Sequence, residues 1–185
     1  MNFKSELRTG ILLSVGLFLW LLLEFFLGFH TTRIDYHPFI TWLSIAIPIA
    51  GIYWSMKVKR DREYAGKISF VQALKSGLVV TAIMSLLGPI MVFVYVSAIN
   101  PLFFSTMLAH SKVMIEGLNI SVVDKEKMIE ESTRNFSTSS YVIQSFIGSL
   151  IMGTVLSLLT AALMKRNSVV ISSKADHSVT DISKK

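Results

Sequence analysis

Glu24 is the first residue in this chain that could do chemistry, because it stands in an otherwise apolar run, "GILLSVGLFLWLLLEFFLGF". A carboxyl group placed in hydrocarbon is costly, so such residues face a bundle interior, find a partner, or serve an ion or proton pathway. Counting along a straight helix at about 1.5 Å per residue puts Glu24 roughly 7 Å from the end of its apolar stretch. The same depth predicts Tyr95, Tyr141 and Gln144 as hydrogen-bonding neighbours. A second set of candidates is His30, Asp35 and His37, with His110 and Glu116 much later in the chain. These could be drawn as a metal site, but their irregular spacing lacks the close helical interval of a histidine pair on one helix, so no metal is expected. No serine sits in a nucleophile elbow or beside a histidine base, and there is no cysteine. Neither a catalytic set nor a cofactor site is predicted.

The elements that must carry these residues are membrane spans. Only 16% of the 185 residues are charged and 52% are hydrophobic, whereas a soluble domain carries about a quarter charged residues. Four apolar stretches are each long enough to cross a hydrocarbon layer of about 30 Å. They cover about 10–29, 39–56, 77–99 and 141–164, with Pro48 predicting a kink in the second. The first is too bulky towards its end to be a cleaved signal. The fold class is therefore all-α, a polytopic membrane protein with the lipid bilayer as its first partner.

The net charge of +6 could indicate nucleic acid, but its distribution indicates topology. Thirteen of the eighteen Lys and Arg residues fall in the N-terminus, the loop from Lys57 to Lys75 and the tail from Lys165. The positive-inside bias makes that side, and both termini, cytoplasmic. The loop "KVKRDREYAGK" thus reads as an anchor, and its single Gly66–Lys67 step falls short of a phosphate cradle. Ser69 is placed to cap a helix that runs on into span three, with Gln72 and Lys75 near the headgroups.

Between spans three and four, residues 100–140 are too polar to span and too patterned to lack structure. Asn100–Pro101 predicts a helix start and Gly117 a stop, with Phe103, Phe104, Met107, Leu108 and Met114 giving an apolar side. Ser121 in "SVVD" opens a second helix that reaches about Thr133. The expectation is an extracytoplasmic amphipathic hairpin that lies on the bilayer surface or caps the spans, and that could receive a partner protein. Residues 167–185, polar and serine-rich, are expected to be disordered.

Span four carries Ser145, Ser149, Gly153, Ser157 and Ala161, and span three carries Gly77, Thr81 and Ser85, each set at every fourth position. Small residues at this spacing let helix backbones approach closely. The two seams should meet each other, or one should meet a second copy in a homodimer.

The stretches "RDREYAGKISFVQALKSG", "NPLFFSTML" and "GSLIMGTVLSLLTAALMKR" resemble the bacterial membrane family catalogued as domain of unknown function 4199. Where that family would show a glycine pair, this chain has Ala65 and Gly66. The resemblance implies a Bacteroidota-type inner-membrane protein and brings no activity or catalytic residues. What remains is a non-enzymatic interaction or accessory protein as the first expectation. A small transporter or channel using Glu24 stands second, and a membrane enzyme third.

Overall fold

A computed structural model describes residues 3–180, with side chains to Met164. All regular structure among the described residues is helical. The elements are α1 (Lys4–Phe26), a 3-10 turn (Ile34–Tyr36), α2 (His37–Leu43), α3 (Ala46–Glu63), α4 (Phe70–Val94), a π turn (Tyr95–Ile99), α5 (Phe103–Glu116), α6 (Val122–Asn135) and α7 (Thr138–Thr180). Four segments are long and apolar enough to cross a membrane: Lys4–Phe26, Ile34–Glu63, Phe70–Ile99 and Thr138–Met164. Of the 167–185 tail expected to be disordered, 167–180 continue α7 and 181–185 lie outside the described residues.

The helix of the second span is broken near its middle by a two-residue turn at Ser44–Ile45. α2 stops at Leu43 and α3 begins at Ala46, so Pro48 occupies the first turn of α3. Its ring would collide with the carbonyl of Ser44 if the helix ran through, and in a first turn its missing N–H costs nothing. Helix continuity is lost at Ser44–Ile45, one turn before the proline.

Cap chemistry sets two further boundaries, whereas α5 begins at Phe103 after an uncapped Leu102 and not at Asn100–Pro101 as expected, Asn100 being buried with its amide on Tyr95. Ser69 Oγ accepts from the Gln72 amide at 3.3 Å while Gln72 Oε1 accepts from the Ser69 amide at 2.9 Å, a reciprocal capping box that starts α4. Ser121 Oγ accepts from the Asp124 amide at 3.2 Å and donates to the Asp124 carboxylate at 2.6 Å, which starts α6. Before α4 the chain turns through Ala65 at φ +49° and Gly66 at φ +83°. Both positions are left-handed, which gives a physical reason for a glycine pair there and shows that Ala65 carries backbone strain. Ala65→Gly is expected to raise thermal stability in detergent by up to about 1 kcal/mol, since relief of the left-handed strain outweighs the added freedom of the unfolded chain. An unchanged or lowered melting temperature would contradict it.

The chain divides into two compact units. One comprises 1–13, 47–84 and 150–185, and its core holds Ile52, Met56, Ile68, Ala73, Val80, Ala161 and Met164. In it Gly153 lies so close to Thr81 that a Cβ would sit 2.5 Å from the threonine Cγ2, and Gly77 lies against Ser157 in the same way. Thr81 and Ser157 hydroxyls are 3.3 Å apart, and Ser55 and Ser76 are 3.4 Å apart, all four residues being buried. Small side chains thus bring α4 and α7 together along Gly77, Thr81, Gly153 and Ser157, and Ala161 is fully buried.

The same unit buries an ion pair that the sequence reading had not placed in any span. Lys59 of α3 donates to Glu6 of α1, and both side chains are fully buried. Ser5 Oγ donates to the other carboxylate oxygen of Glu6 at 2.8 Å, while Lys59 Nζ lies 3.6 Å from Glu63 and 5.0 Å from the centre of the Phe3 ring. Both charges therefore have several partners, as burial requires.

The second unit comprises 14–46 and 85–149. Its core is Tyr95, Val96, Phe103 and Met107, with Phe18, Leu21, Leu22, Phe25, Ile34 and Tyr141 packed around them. α5 and α6 form the hairpin, held by Ser111 and Ser132 hydroxyls 3.1 Å apart and by Lys125 Nζ donating to the Glu116 carbonyl at 2.7 Å. Phe103, Met107 and Ile115 are the buried side of α5, whereas Met114 is exposed.

Candidate functional site

The polar centre of the second unit begins with the end of α1. Gly28, at φ +81°, reverses the chain, with the Phe29 amide bonded to the Glu24 carbonyl at 2.9 Å and the Gly28 amide to Phe25 at 3.0 Å. This is the hydrogen-bond pattern of a Schellman cap, and its left-handed residue suits glycine. The reversal returns His30 to the last turns of α1. Pro38 then sits in the first turn of α2, whose start presents His37 and, one turn on, Thr41.

These residues converge on one carboxylate. Glu24 Oε2 lies 3.2 Å from His30 Nε2, 3.7 Å from His37 Nε2 and 3.0 Å from Thr41 Oγ1, which donates to it. Trp20 Nε1, one helical turn before Glu24, donates to the second oxygen, Oε1. The other ring nitrogen of His30, Nδ1, is bonded to the Tyr95 hydroxyl, and that hydroxyl accepts from Asn100 Nδ2 at 2.9 Å. Glu24 and His30 are 2% and 0% exposed, and Tyr95 and Asn100 are buried with them. The π turn at Tyr95–Ile99 matters here: it inserts an extra residue per turn at the end of α4 and brings Tyr95 and Asn100 to the same point. Aromatic edges close the surroundings, with the Phe103 ring 5.2 Å from His30 and 5.6 Å from Tyr95.

The residues predicted as neighbours of Glu24 are distributed differently. Tyr95 reaches Glu24 only through His30. Tyr141 packs its ring on Phe103 and Phe104 instead. Gln144 is exposed. Of the residues considered for a metal, His30 and His37 meet Glu24 rather than the other histidine or Glu116, while His110 lies 3.8 Å from Asp35. Glu24, His30 and His37 were thus singled out separately, and only the reversal at Gly28 unites them. An X-Gly-X-His pattern directly after the span was the available signal.

Of the two predicted seams, Ser85 is buried and its hydroxyl has no hydrogen-bond partner among the described residues. Ser145 and Ser149 spend their hydroxyls on the carbonyls of Val142 and Phe146 in their own helix, at 2.8 and 3.0 Å. In the first unit, α1 and α3 flank an open groove of about 960 Å³ whose lining includes Lys4, Arg8 and Arg62 as well as Leu12, Ile47 and Trp54. Such a mixture suits the headgroup and upper acyl region of a bilayer.

No curated protein and no solved structure matches the chain. The family described as "Protein of unknown function (DUF4199)" matches residues 8–166, which takes in all four spans, the hairpin and the Glu24 centre. This integral membrane protein belongs to that family.

Proposed function

We propose that the protein is a non-enzymatic interaction or accessory protein of a bacterial inner membrane, with both termini cytoplasmic and the α5–α6 hairpin on the outer face. The observation that carries this reading is the turn of the hairpin. Val113, Met114, Leu118, Ile120, Val122 and Val123 are all exposed there, outside the four spans. Contiguous apolar side chains outside a span mark a contact surface. The flanking helix α6 is strongly polar, with Lys125, Glu126, Lys127, Glu130, Glu131 and Arg134. A polar helix beside an apolar tip suits a partner protein with an apolar recess and a charged rim.

The chain has no cysteine, so single-cysteine variants report sidedness cleanly. Asn119→Cys is expected to react with a membrane-impermeant maleimide in intact spheroplasts, and Lys67→Cys only after lysis; the reverse pattern would overturn the orientation. A photo-crosslinking residue at Val123 is expected to yield one protein adduct of defined mass in native membranes. Adducts with lipid alone would overturn the interaction role. The second reading, a small transporter or channel, is favoured by the buried carboxylate–imidazole chain, and proton flux in liposomes that is lost in Glu24→Gln would select it.

A further inference from the structure

We propose that Glu24, His30 and His37 form a three-ligand site for a divalent transition metal of the zinc class. The three side chains offer one carboxylate oxygen and two imidazole nitrogens, all within 4.8 Å of one another. An ion with bonds of about 2.0–2.2 Å in tetrahedral geometry holds neighbouring donors roughly 3.3–3.6 Å apart. The two His–Glu separations, 3.2 and 3.7 Å, bracket that edge length. The two imidazole nitrogens lie within 4.8 Å of each other, so admitting an ion takes a rotation that draws them together by at most about 1.5 Å. Two nitrogens and one oxygen select zinc or a neighbouring transition metal over magnesium or calcium, which prefer oxygen alone. Three protein ligands leave a fourth position for water or another small ligand.

The surroundings are those of a metal site rather than of a bare ion pair. Two of the three ligands have an outside support: Trp20 and Thr41 hold the Glu24 carboxylate, and Tyr95, itself bonded to Asn100, holds the far nitrogen of His30. Supports of this kind fix ring orientation and choose the tautomer. The hydroxyl of Tyr95 makes two settings self-consistent. When it donates to Nδ1, His30 carries its proton on Nε2 and donates to Glu24, which satisfies the cluster without an ion. When it accepts from Nδ1–H, Nε2 is left with a lone pair aimed at Glu24 and His37, and can bind metal. Phe25 and Phe103 border the imidazoles and keep the dielectric low. The side chain of His37 is 18% exposed and provides the way in for the ion.

The test uses the full chain without a histidine tag, purified in detergent, washed with a chelator and titrated with Zn²⁺ and with Co²⁺ as a spectroscopic probe. One equivalent of Zn²⁺ per chain should bind saturably and raise the melting temperature, and Co²⁺ should give the intense visible absorption of a tetrahedral site that Zn²⁺ then displaces. His37→Ala and Glu24→Gln should abolish both responses, and Tyr95→Phe should weaken binding roughly 10- to 100-fold. His110→Ala, which removes a histidine outside the cluster, should leave binding unchanged. Should Glu24→Gln not survive purification, His37→Ala decides alone, because its side chain lies at the edge of the cluster. Failure of the unaltered chain to bind Zn²⁺ saturably, or full binding by His37→Ala, would overturn the assignment.

Discussion

Lys59→Met is expected to lower stability by about 3 kcal/mol, measured by thermal or denaturant unfolding in detergent. The pair it breaks is fully buried, and removing the lysine leaves the Glu6 carboxylate buried with the Ser5 hydroxyl but without its principal counter-charge. Glu6→Leu should cost less, because Lys59 keeps Glu63 at 3.6 Å. Combining the two as Glu6→Leu with Lys59→Met should recover most of the loss, because an apolar pair of similar volume carries no desolvation cost. If the double variant is as unstable as the sum of the singles, packing of these side chains, and not charge compensation, sets the energy. Salt should change little in the parent, since screening acts weakly on buried pairs.

Gly153→Leu is expected to be the most damaging single substitution along the α4–α7 contact. Even the first carbon of a side chain would lie 2.5 Å from Thr81 Cγ2 and 3.0 Å from its Cβ. Threonine is branched at Cβ and has few rotamers in a helix, so it cannot move aside. Gly153→Ala should already cost about 1–3 kcal/mol, and leucine more, through forced separation of the helices. The internal comparison is Gly148→Ala, where an added Cβ would meet nothing within 4 Å and stability should stay within about 0.5 kcal/mol. Equal melting temperatures for Gly153→Ala and Gly148→Ala would refute the close contact.

The four spans were legible because long apolar runs bounded by charge are a composition signal, independent of packing. The caps at Ser69 and Ser121 were equally legible, since each depends only on residues three positions away. Seam positions Gly77, Thr81, Gly153 and Ser157 could be named from spacing, but spacing alone did not say where close approach ends. Ser145 and Ser149 fit the repeat yet bond to their own helix. The Glu24 centre shows the limit more sharply. Depth counting treats spans as straight rods and loops as lying outside them, so it chose Tyr95, Tyr141 and Gln144 and ignored a loop that folds back through Gly28. Glu6 and Lys59 escaped for a related reason. The predicted spans were cut where charge began, at Gly10 and Met56, whereas the helices run on from Lys4 and to Glu63.

The Glu6–Lys59 pair also constrains how the chain is made. Its two halves are 53 residues apart in sequence, so at about 5–20 residues per second roughly 3–10 s pass between their syntheses. Throughout that interval the first helix carries a carboxylate whose eventual partner does not yet exist. Until α3 arrives, Glu6 has Ser5 and water or lipid headgroups around it, and its side chain is enclosed with a counter-charge only afterwards. A nascent chain halted before Lys59 would accordingly leave the Glu6 carboxylate without the lysine that the finished protein buries beside it.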